Sequence, residues 1–209
     1  NLVAVLFGYA CHNTTLTGQI MTISGDYAGF AQARLEADHP GVVALFAMGC
    51  GADANPNPRG TVELGRLHGD ELAKSVEDVL SRPDHLRPIE GALRTAFAEP
   101  GLPLAGPTDR ASYVARLDET PVNPARRAHA RRLIADIDAG RPVRPEYPYP
   151  IHAFALGDSL VLVALAGEVV VDYSLRLKRE AAAPGRSIWV AAYADDVFSY
   201  VPSARVLAE

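Results

Sequence analysis

Three residues of this chain that could hold a metal ion come shortly after apolar, strand-like runs. His12 follows the run 2–10, Glu168 follows 159–166 and a glycine, and Tyr200 follows 188–193 across a short polar turn. An imidazole nitrogen, a carboxylate and a phenolate are donors suited to Zn²⁺. Ligands of α/β sheets collect beyond the carboxyl ends of strands. We therefore expect the three donor atoms to lie in one shallow cleft, within roughly 6 Å of one another.

Each of these residues also has a structural interpretation. A histidine at a strand end is commonly a polar loop residue, and a glutamate in the position of Glu168 suits the first turn of a helix. Tyr200 has the alternative of an ordinary half-buried aromatic residue. The residue types and their spacing alone leave both interpretations open.

The elements that must position these residues alternate along the chain. Apolar runs predict strands, two of which form a hairpin across a Gly-Asp turn; they cover 2–10, 42–48, 93–97, 151–156, 159–166 and 188–193. Helical patterns cover 26–37 with Asp26 as N-cap, 61–80, 108–118, 124–139 and 168–180. This order predicts an α/β fold, a layered, mixed and largely parallel sheet flanked by helices.

The same pattern predicts one catalytic domain over residues 1–209 with a helical or irregular excursion at about 86–149, where Gly and Pro interrupt the periodicity. The chain opens inside a strand, and domains rarely begin there. We therefore expect the sequence to be part of a longer domain, with an N-terminal part, any signal peptide and a C-terminal continuation outside it.

Composition narrows the classes of partner. The 209 residues carry a formal net charge of −5 and 48% hydrophobic residues, which argues against a nucleic-acid partner because no basic stripe is present. The arginine cluster at 126–132 is interpreted as a solvated helix face. No apolar run is long enough to span a bilayer. The oligomeric state is not predicted.

The two cysteines show neither a metal-binding spacing nor a disulfide framework. Cys11 and Cys50 each end a strand-like run, so we expect them to be spatial neighbours at one sheet edge if the two strands are adjacent. Two buried free thiols are the simpler interpretation, and the sequence does not decide whether they form a disulfide.

Several segments together resemble the neutral/alkaline non-lysosomal ceramidase family. They read YACHNTTL, ISGDYAGFA, FAMGCGADANPNPRG, LGDSLVLVALAGEVVVDYSLRLK and WVAAYADDVFSYVPSARVLAE. In order and spacing they cover most of the chain outside 86–149.

The resemblance implies a zinc-dependent hydrolase of lipid amides, such as sphingolipids, that is secreted or periplasmic. The family holds one Zn²⁺ with two His, one Glu and one Tyr. His12, Glu168 and Tyr200 match three of these ligands in their local contexts. The remaining family histidine belongs to a segment upstream of the first strand, which this sequence does not contain.

One departure from the family concerns the nucleophile. The family places a serine in a Gly-Asp-x-Ser-Pro-Asn stretch, and the corresponding residues 52–57 here put Asn55 in that position. A carboxamide cannot replace a hydroxyl nucleophile. We therefore expect either attack by zinc-bound water, with Asn55 orienting substrate or donating to an oxyanion, or loss of catalysis. Asp53 is a candidate for capping the loop, for supporting a metal ligand or for proton transfer, and the structural role is the favoured one. Arg59 is a candidate for pairing with a substrate anion or with Asp53 or Glu63.

Two functions follow from these observations. The first is a zinc-dependent, ceramidase-like hydrolase of an amide-type bond, acting on a small-molecule or lipid-like substrate that the sequence does not identify. The second is a catalytically silent relative that binds a lipid, glycan or protein ligand in the same cleft, which Asn55 favours. A serine hydrolase is a poor alternative because no Gly-x-Ser-x-Gly elbow occurs.

Overall fold

The computed structural model describes residues 2–82, 84, 86–104, 106–107 and 109–208. The chain divides into two compact units, one built from 1–98 and 150–209, the other from 99–149. The strands are β1 (Ala4–Tyr9), β2 (Val43–Met48), β3 (Leu93–Ala98), β4 (Gly101–Pro103), β5 (Glu146–Pro148), β6 (Ile151–Leu156), β7 (Leu160–Leu165), β8 (Glu168–Val169), β9 (Ser187–Ala191) and β10 (Tyr200–Val201). The helices are α1 (Asp26–Asp38), α2 (Val62–Leu80), α3 (Arg110–Ala115), α4 (Pro124–Asp138), α5 (Val171–Glu180) and α6 (Ala204–Leu207).

The first unit contains a parallel pair of strands covered by two helices. β1 and β2 pair in parallel from Ala4↔Val43 to Tyr9↔Met48, as the strand–helix–strand order predicts. α1 and α2 pack closely because Gly69 has no side chain; a Cβ there would lie 2.5 Å from Phe30 Cβ. The buried cluster of this layer consists of Phe7, Ala31, Leu35, Ala44 and Ala73.

The same unit contains a four-stranded sheet in the order β3-β6-β7-β9. β3 and β6, and likewise β6 and β7, pair antiparallel, whereas β7 and β9 pair in parallel. The predicted hairpin is present, and Gly157 turns the chain at φ +54°, a backbone conformation that glycine adopts without steric cost. The prediction of a mixed α/β fold is confirmed.

The helix predicted from Glu168 begins three residues later, at Val171. Glu168 instead belongs to the two-residue strand β8, which pairs in parallel with β10 and sets Glu168 opposite Tyr200. The backbone N–H of Glu168 donates to Ser199 O at 2.9 Å, so strand pairing takes the amide that a helix start would leave free.

The start of α1 also differs from the prediction. Gly25 is the N-cap, and Asp26 is the first helical residue, with φ +54°. Its buried carboxylate accepts from Leu16 N and Tyr27 N, each at 2.7 Å. Asp26 therefore ties the helix start to the loop after β1 rather than capping the next turn.

The second unit consists of α3, α4 and the antiparallel pair β4-β5. Asn123 caps α4 by accepting from Arg126 N at 3.1 Å, and Asp109 caps α3 by accepting from Ser112 N at 2.9 Å. The helix observed as α3 was predicted to begin at Thr108, which lies outside the described residues.

No helix in the described part of the chain is long and apolar enough to cross a membrane.

Candidate functional site

His12 is held in place by the loop that follows β2. Its backbone N–H donates to Ala54 O at 3.0 Å, and its ring Nε2 lies 3.0 Å from Ala52 O. Because a carbonyl only accepts, Nε2 carries the proton of this hydrogen bond. Gly51 permits this contact between loop and strand end, since a Cβ there would lie 2.3 Å from Cys11 N. The His12 side chain is 12% exposed.

Glu168 and Tyr200 face each other across the short β8-β10 pair. The tyrosine hydroxyl donates to the Glu168 carboxylate, and the Glu168 side chain is 23% exposed. Gly167 precedes this pair at φ +75°, and a Cβ there would lie 2.8 Å from Ser199 O. The Gly-Glu sequence is therefore required locally, because any side chain at Gly167 would push the two strands apart.

Tyr193 joins the two halves of the site, and the sequence reasoning missed it. Its hydroxyl lies 3.1 Å from His12 Nδ1 and 3.4 Å from Glu168 Oε2. With the Nε2 proton given to Ala52 O, Nδ1 accepts from this hydroxyl. A signal for it exists in hindsight, since Tyr193 follows a buried strand as His12 and Glu168 do.

These contacts bring His12, Glu168 and Tyr200 into one cluster. His12 Nε2 lies 3.9 Å from Glu168 Oε2, and the ring centroids of His12 and Tyr200 are 6.1 Å apart. Two donors that share one Zn²⁺ lie at most about 4.4 Å apart, so the imidazole and the carboxylate are close enough to bind the same ion. The three side chains are donors of types that zinc accepts, and the spacing of the imidazole and the carboxylate is compatible with one ion.

The phenol is indispensable to this donor set. Among the described residues, no group of three or more His, Cys, Asp or Glu could hold a metal ion. Desolvation, followed by the hydrogen bond to Glu168, raises the pKa of Tyr200 above its ordinary value of 10.0. Desolvation and the Glu168 charge likewise raise the pKa of Tyr193. Without a cation, both phenols keep their protons at neutral pH.

The side chain of Asn55 contacts residues outside this cluster. Its Oδ1 accepts from Thr14 Oγ1 at 3.1 Å and from Arg59 Nη1 at 3.3 Å. Asn55 also lines a cavity of about 490 Å³, together with Tyr9, Cys11, Tyr27 and residues of α2. None of the three candidate zinc ligands lines that cavity. Arg59 thus reaches Asn55, rather than the acidic partners considered for it from the sequence.

Asp53 connects the same loop to the start of α5. Its Oδ1 accepts from Val171 N at 3.0 Å, and its Oδ2 lies 4.0 Å from Arg205 Nη2. Arg205 also binds Asp172, with Nε 3.0 Å from Oδ2. These contacts give Asp53 a helix-capping role in the structure. Asp53 directly follows Ala52, whose carbonyl contacts the His12 ring, but no contact between the Asp53 side chain and that ring is observed.

Both cysteines are buried free thiols. Burial raises the pKa of Cys50 to about 11, and burial with the nearby Asp26 charge raises the pKa of Cys11. β1 and β2, the strands that precede them, are direct parallel neighbours. The simpler interpretation, thiols that act as small apolar residues, agrees with this environment.

A second acid–base pair joins His152 on β6, which the sequence could not place, to Asp195 in the loop between Tyr193 and Tyr200. His152 Nε2 is 3.2 Å from Asp195 Oδ2, and the imidazole packs against the Phe97 ring at 4.6 Å between centroids. Asp195 has φ +61°. Its contact with β6 joins residues more than forty positions apart. Hydrophobic periodicity within one element cannot indicate such a contact.

The fold is similar to that of two solved ceramidases. The crystal structure of neutral ceramidase from Pseudomonas aeruginosa matches with a TM-score of 0.65 and 19% identity, covering 97% of this chain and 39% of that one. A ceramidase complexed with C2 matches with a TM-score of 0.62 and 21% identity, covering 95% and 40%. The chain thus spans about two fifths of the length of these proteins. No family model matches the chain, and no curated protein does. The ceramidase-like resemblance read from the sequence is confirmed at the level of the fold.

Proposed function

We propose that this chain forms part of a zinc-dependent, ceramidase-like hydrolase that cleaves an amide-type bond in a lipid-like or small-molecule substrate. The observation that carries the proposal is the convergence of His12, Glu168 and Tyr200 on a fold similar to that of solved ceramidases. The three residues are separated by most of the chain and still meet through direct contacts. By the same resemblance we propose that the protein acts outside the cytoplasm.

In this proposal His12, Glu168 and Tyr200 hold the metal, and other residues keep them in place. Bound Zn²⁺ supplies Lewis-acid activation of water and of a substrate carbonyl. Tyr193 and the Ala52 carbonyl fix the orientation of the imidazole. Because both ring nitrogens are hydrogen-bonded, Nε2 would have to give up the Ala52 carbonyl to bind the metal, with Tyr193 still holding Nδ1 and the ring in place.

Asn55 acts in this proposal as a hydrogen-bond donor rather than a nucleophile. Its Oδ1 is already engaged by Thr14 and Arg59, and its amide Nδ2 has no protein partner among the described residues. Because Asn55 lines the 490 Å³ cavity, this amide can donate to a carbonyl or oxyanion bound there. Arg59 restrains the rotation of the same carboxamide.

The test measures zinc content and hydrolysis of N-acyl amide substrates in the same preparations of the full-length protein, because the resemblance places one zinc ligand upstream of this sequence. Glu168→Gln keeps the size of the side chain and removes its charge, so we expect loss of bound zinc and of turnover. Glu99→Gln is the matched control, because Glu99 is an exposed residue of the second unit. Hydrolysis that persists in a protein free of zinc would overturn the metal assignment, and so would unchanged zinc content in Glu168→Gln.

Asn55 also favours the second candidate, a silent relative that binds a ligand in this cleft, because no hydroxyl stands at the family nucleophile position. Full zinc occupancy without turnover on a panel of amides and esters would support it. Two variants then separate the roles of the side chain. Asn55→Ser should keep the metal, and a gain of N-acyl amide cleavage would show that only the nucleophile is missing. If Asn55→Ala leaves an existing turnover unchanged, Asn55 has no catalytic role.

A further inference from the structure

The second unit contains a cavity that the proposed hydrolase does not use. Its volume is about 1020 Å³, which reaches the upper end of the range typical of small-molecule sites. It is formed within this unit by α4, the segment 140–144 and the end of α3. The lining residues that matter here are Tyr113, Arg116, Arg132, Leu133, Arg141 and Arg144.

The lining is strongly basic in a chain whose formal net charge is −5. Four arginines line it against a single carboxylate, Asp136. Asp136 neutralises only Arg141, at 2.6 Å between Arg141 Nη2 and Oδ1. The cavity therefore keeps an excess of three positive charges.

The remaining arginines are not neutralised by neighbouring acids. Arg116 stacks over the Tyr113 ring, with Cζ 5.1 Å from the centroid. Within the described part of the chain, Arg132 and Arg144 have no ion-pair partner. By contrast, Arg126 at the start of the same helix lies 3.6 Å from Glu119. Arg132 is an exposed residue, as the interpretation of the arginine cluster as a solvated helix face predicts, and it also lines the cavity.

We propose that this cavity binds a small molecule that carries an oxyanion, a carboxylate or phosphate, attached to an apolar group. Guanidinium groups bind such oxyanions through paired hydrogen bonds. The apolar part of the lining includes Leu133, Val143 and Tyr113. This surface contacts the apolar group of the ligand. A purely inorganic anion would leave this apolar surface uncovered.

Binding is measured directly by calorimetry on the intact chain, so the result does not depend on zinc or on hydrolysis. The probes are octyl phosphate, octanoate, inorganic phosphate and vesicles of phosphatidylcholine with phosphatidylglycerol. We expect saturable binding of at least one octyl anion, at least about tenfold tighter than inorganic phosphate because of the buried alkyl chain. The affinity should fall as salt is added.

Variants distinguish binding in this cavity from nonspecific attraction of anions to the arginine-rich helix. Arg132→Ala and Arg144→Ala should each weaken binding of the octyl anion about tenfold, the effect of losing a charge-assisted hydrogen bond. Arg131→Ala is the matched control, because it removes the adjacent arginine of the same helix, which does not line the cavity. Circular dichroism and thermal unfolding check that each variant remains folded.

Three results would overturn the proposal. One is the absence of saturable binding of either octyl anion, and another is an equal loss of affinity in Arg131→Ala. The third is binding to anionic vesicles without binding of the monomeric octyl anions, which would identify a membrane-facing surface instead of a small-molecule site.

Discussion

Removing the Tyr193 hydroxyl tests the candidate zinc site at the point where its two halves meet. Tyr193→Phe keeps the ring, whose centroid lies 6.1 Å from that of His12, and deletes only the oxygen. That oxygen lies 3.1 Å from His12 Nδ1 and 3.4 Å from Glu168 Oε2. The change therefore breaks the link between these two side chains and leaves the packing around the ring intact.

The stability cost follows from the geometry of the two contacts. The hydroxyl has one proton and can donate to only one partner, and the 3.4 Å contact is too long to be strong. We therefore expect the free energy of unfolding to fall by about 1–2 kcal/mol, the cost of one lost hydrogen bond in a partly buried site. For a chain of this length that corresponds to a decrease in Tm of about 2–8 °C.

Zinc affinity should change more than stability. Zinc held by Nε2 of His12 would leave the imidazole proton on Nδ1, where Tyr193 Oη would accept it. The Tyr193→Phe substitution would leave that N–H without a partner, so we expect zinc binding to weaken about 10–100-fold, as for other groups that orient a metal-binding histidine.

The assay is competition for zinc with a chromophoric chelator, combined with chemical denaturation of the same samples. Tyr173→Phe is the control, because it removes a hydroxyl that donates to Pro202 O at 3.2 Å and not to any of the three candidate ligands. It should lower stability by a similar amount and leave zinc affinity unchanged. An unaltered zinc affinity in Tyr193→Phe would refute the supporting role. A higher affinity would show that the hydroxyl competes with the metal for Nδ1.

Three further predictions concern the surrounding structure. The hydrogen bond from Arg205 lowers the pKa of Asp172 below its ordinary value of 3.8; the stability it contributes is therefore present above about pH 4 and lost as the pH falls through the folded-state pKa. Denaturation of Asp172→Asn at about pH 7 and about pH 3 should show a smaller deficit at the lower pH. Gly69→Ala should destabilise the chain by about 1–3 kcal/mol through overpacking. Gly29→Ala, with no atom within 4 Å of the added Cβ, should be neutral or stabilising. Urea denaturation of both variants tests this difference. Cys50, which is 1% exposed and has a pKa of about 11, should react with a thiol reagent only after unfolding, and rapid labelling of the native protein would contradict its placement.

Local pattern was enough to predict most of the elements. α2, predicted over 61–80, is observed at Val62–Leu80, and the predicted hairpin is observed as β6 and β7. Hydrophobic periodicity reports which side of an element is buried, and that information lies within a few turns of chain. The same signal failed at Glu168, where pairing with the distant strand β10 replaces the predicted helix start.

The sequence by itself determined the mixed α/β class and suggested His12, Glu168 and Tyr200 as donors, because residue type and position after a strand are local properties. Only the tertiary structure decided which groups surround them. Tyr193 reaches His12 across 181 positions of the chain, and Asp53 contacts the N-terminus of α5 across 118. It also placed Asn55 in a cavity that the three donors do not line, and showed that the exposed Arg132 lines a second cavity. Such contacts depend on how loops close over strand ends and on which elements pack together, and no periodicity within one element encodes them.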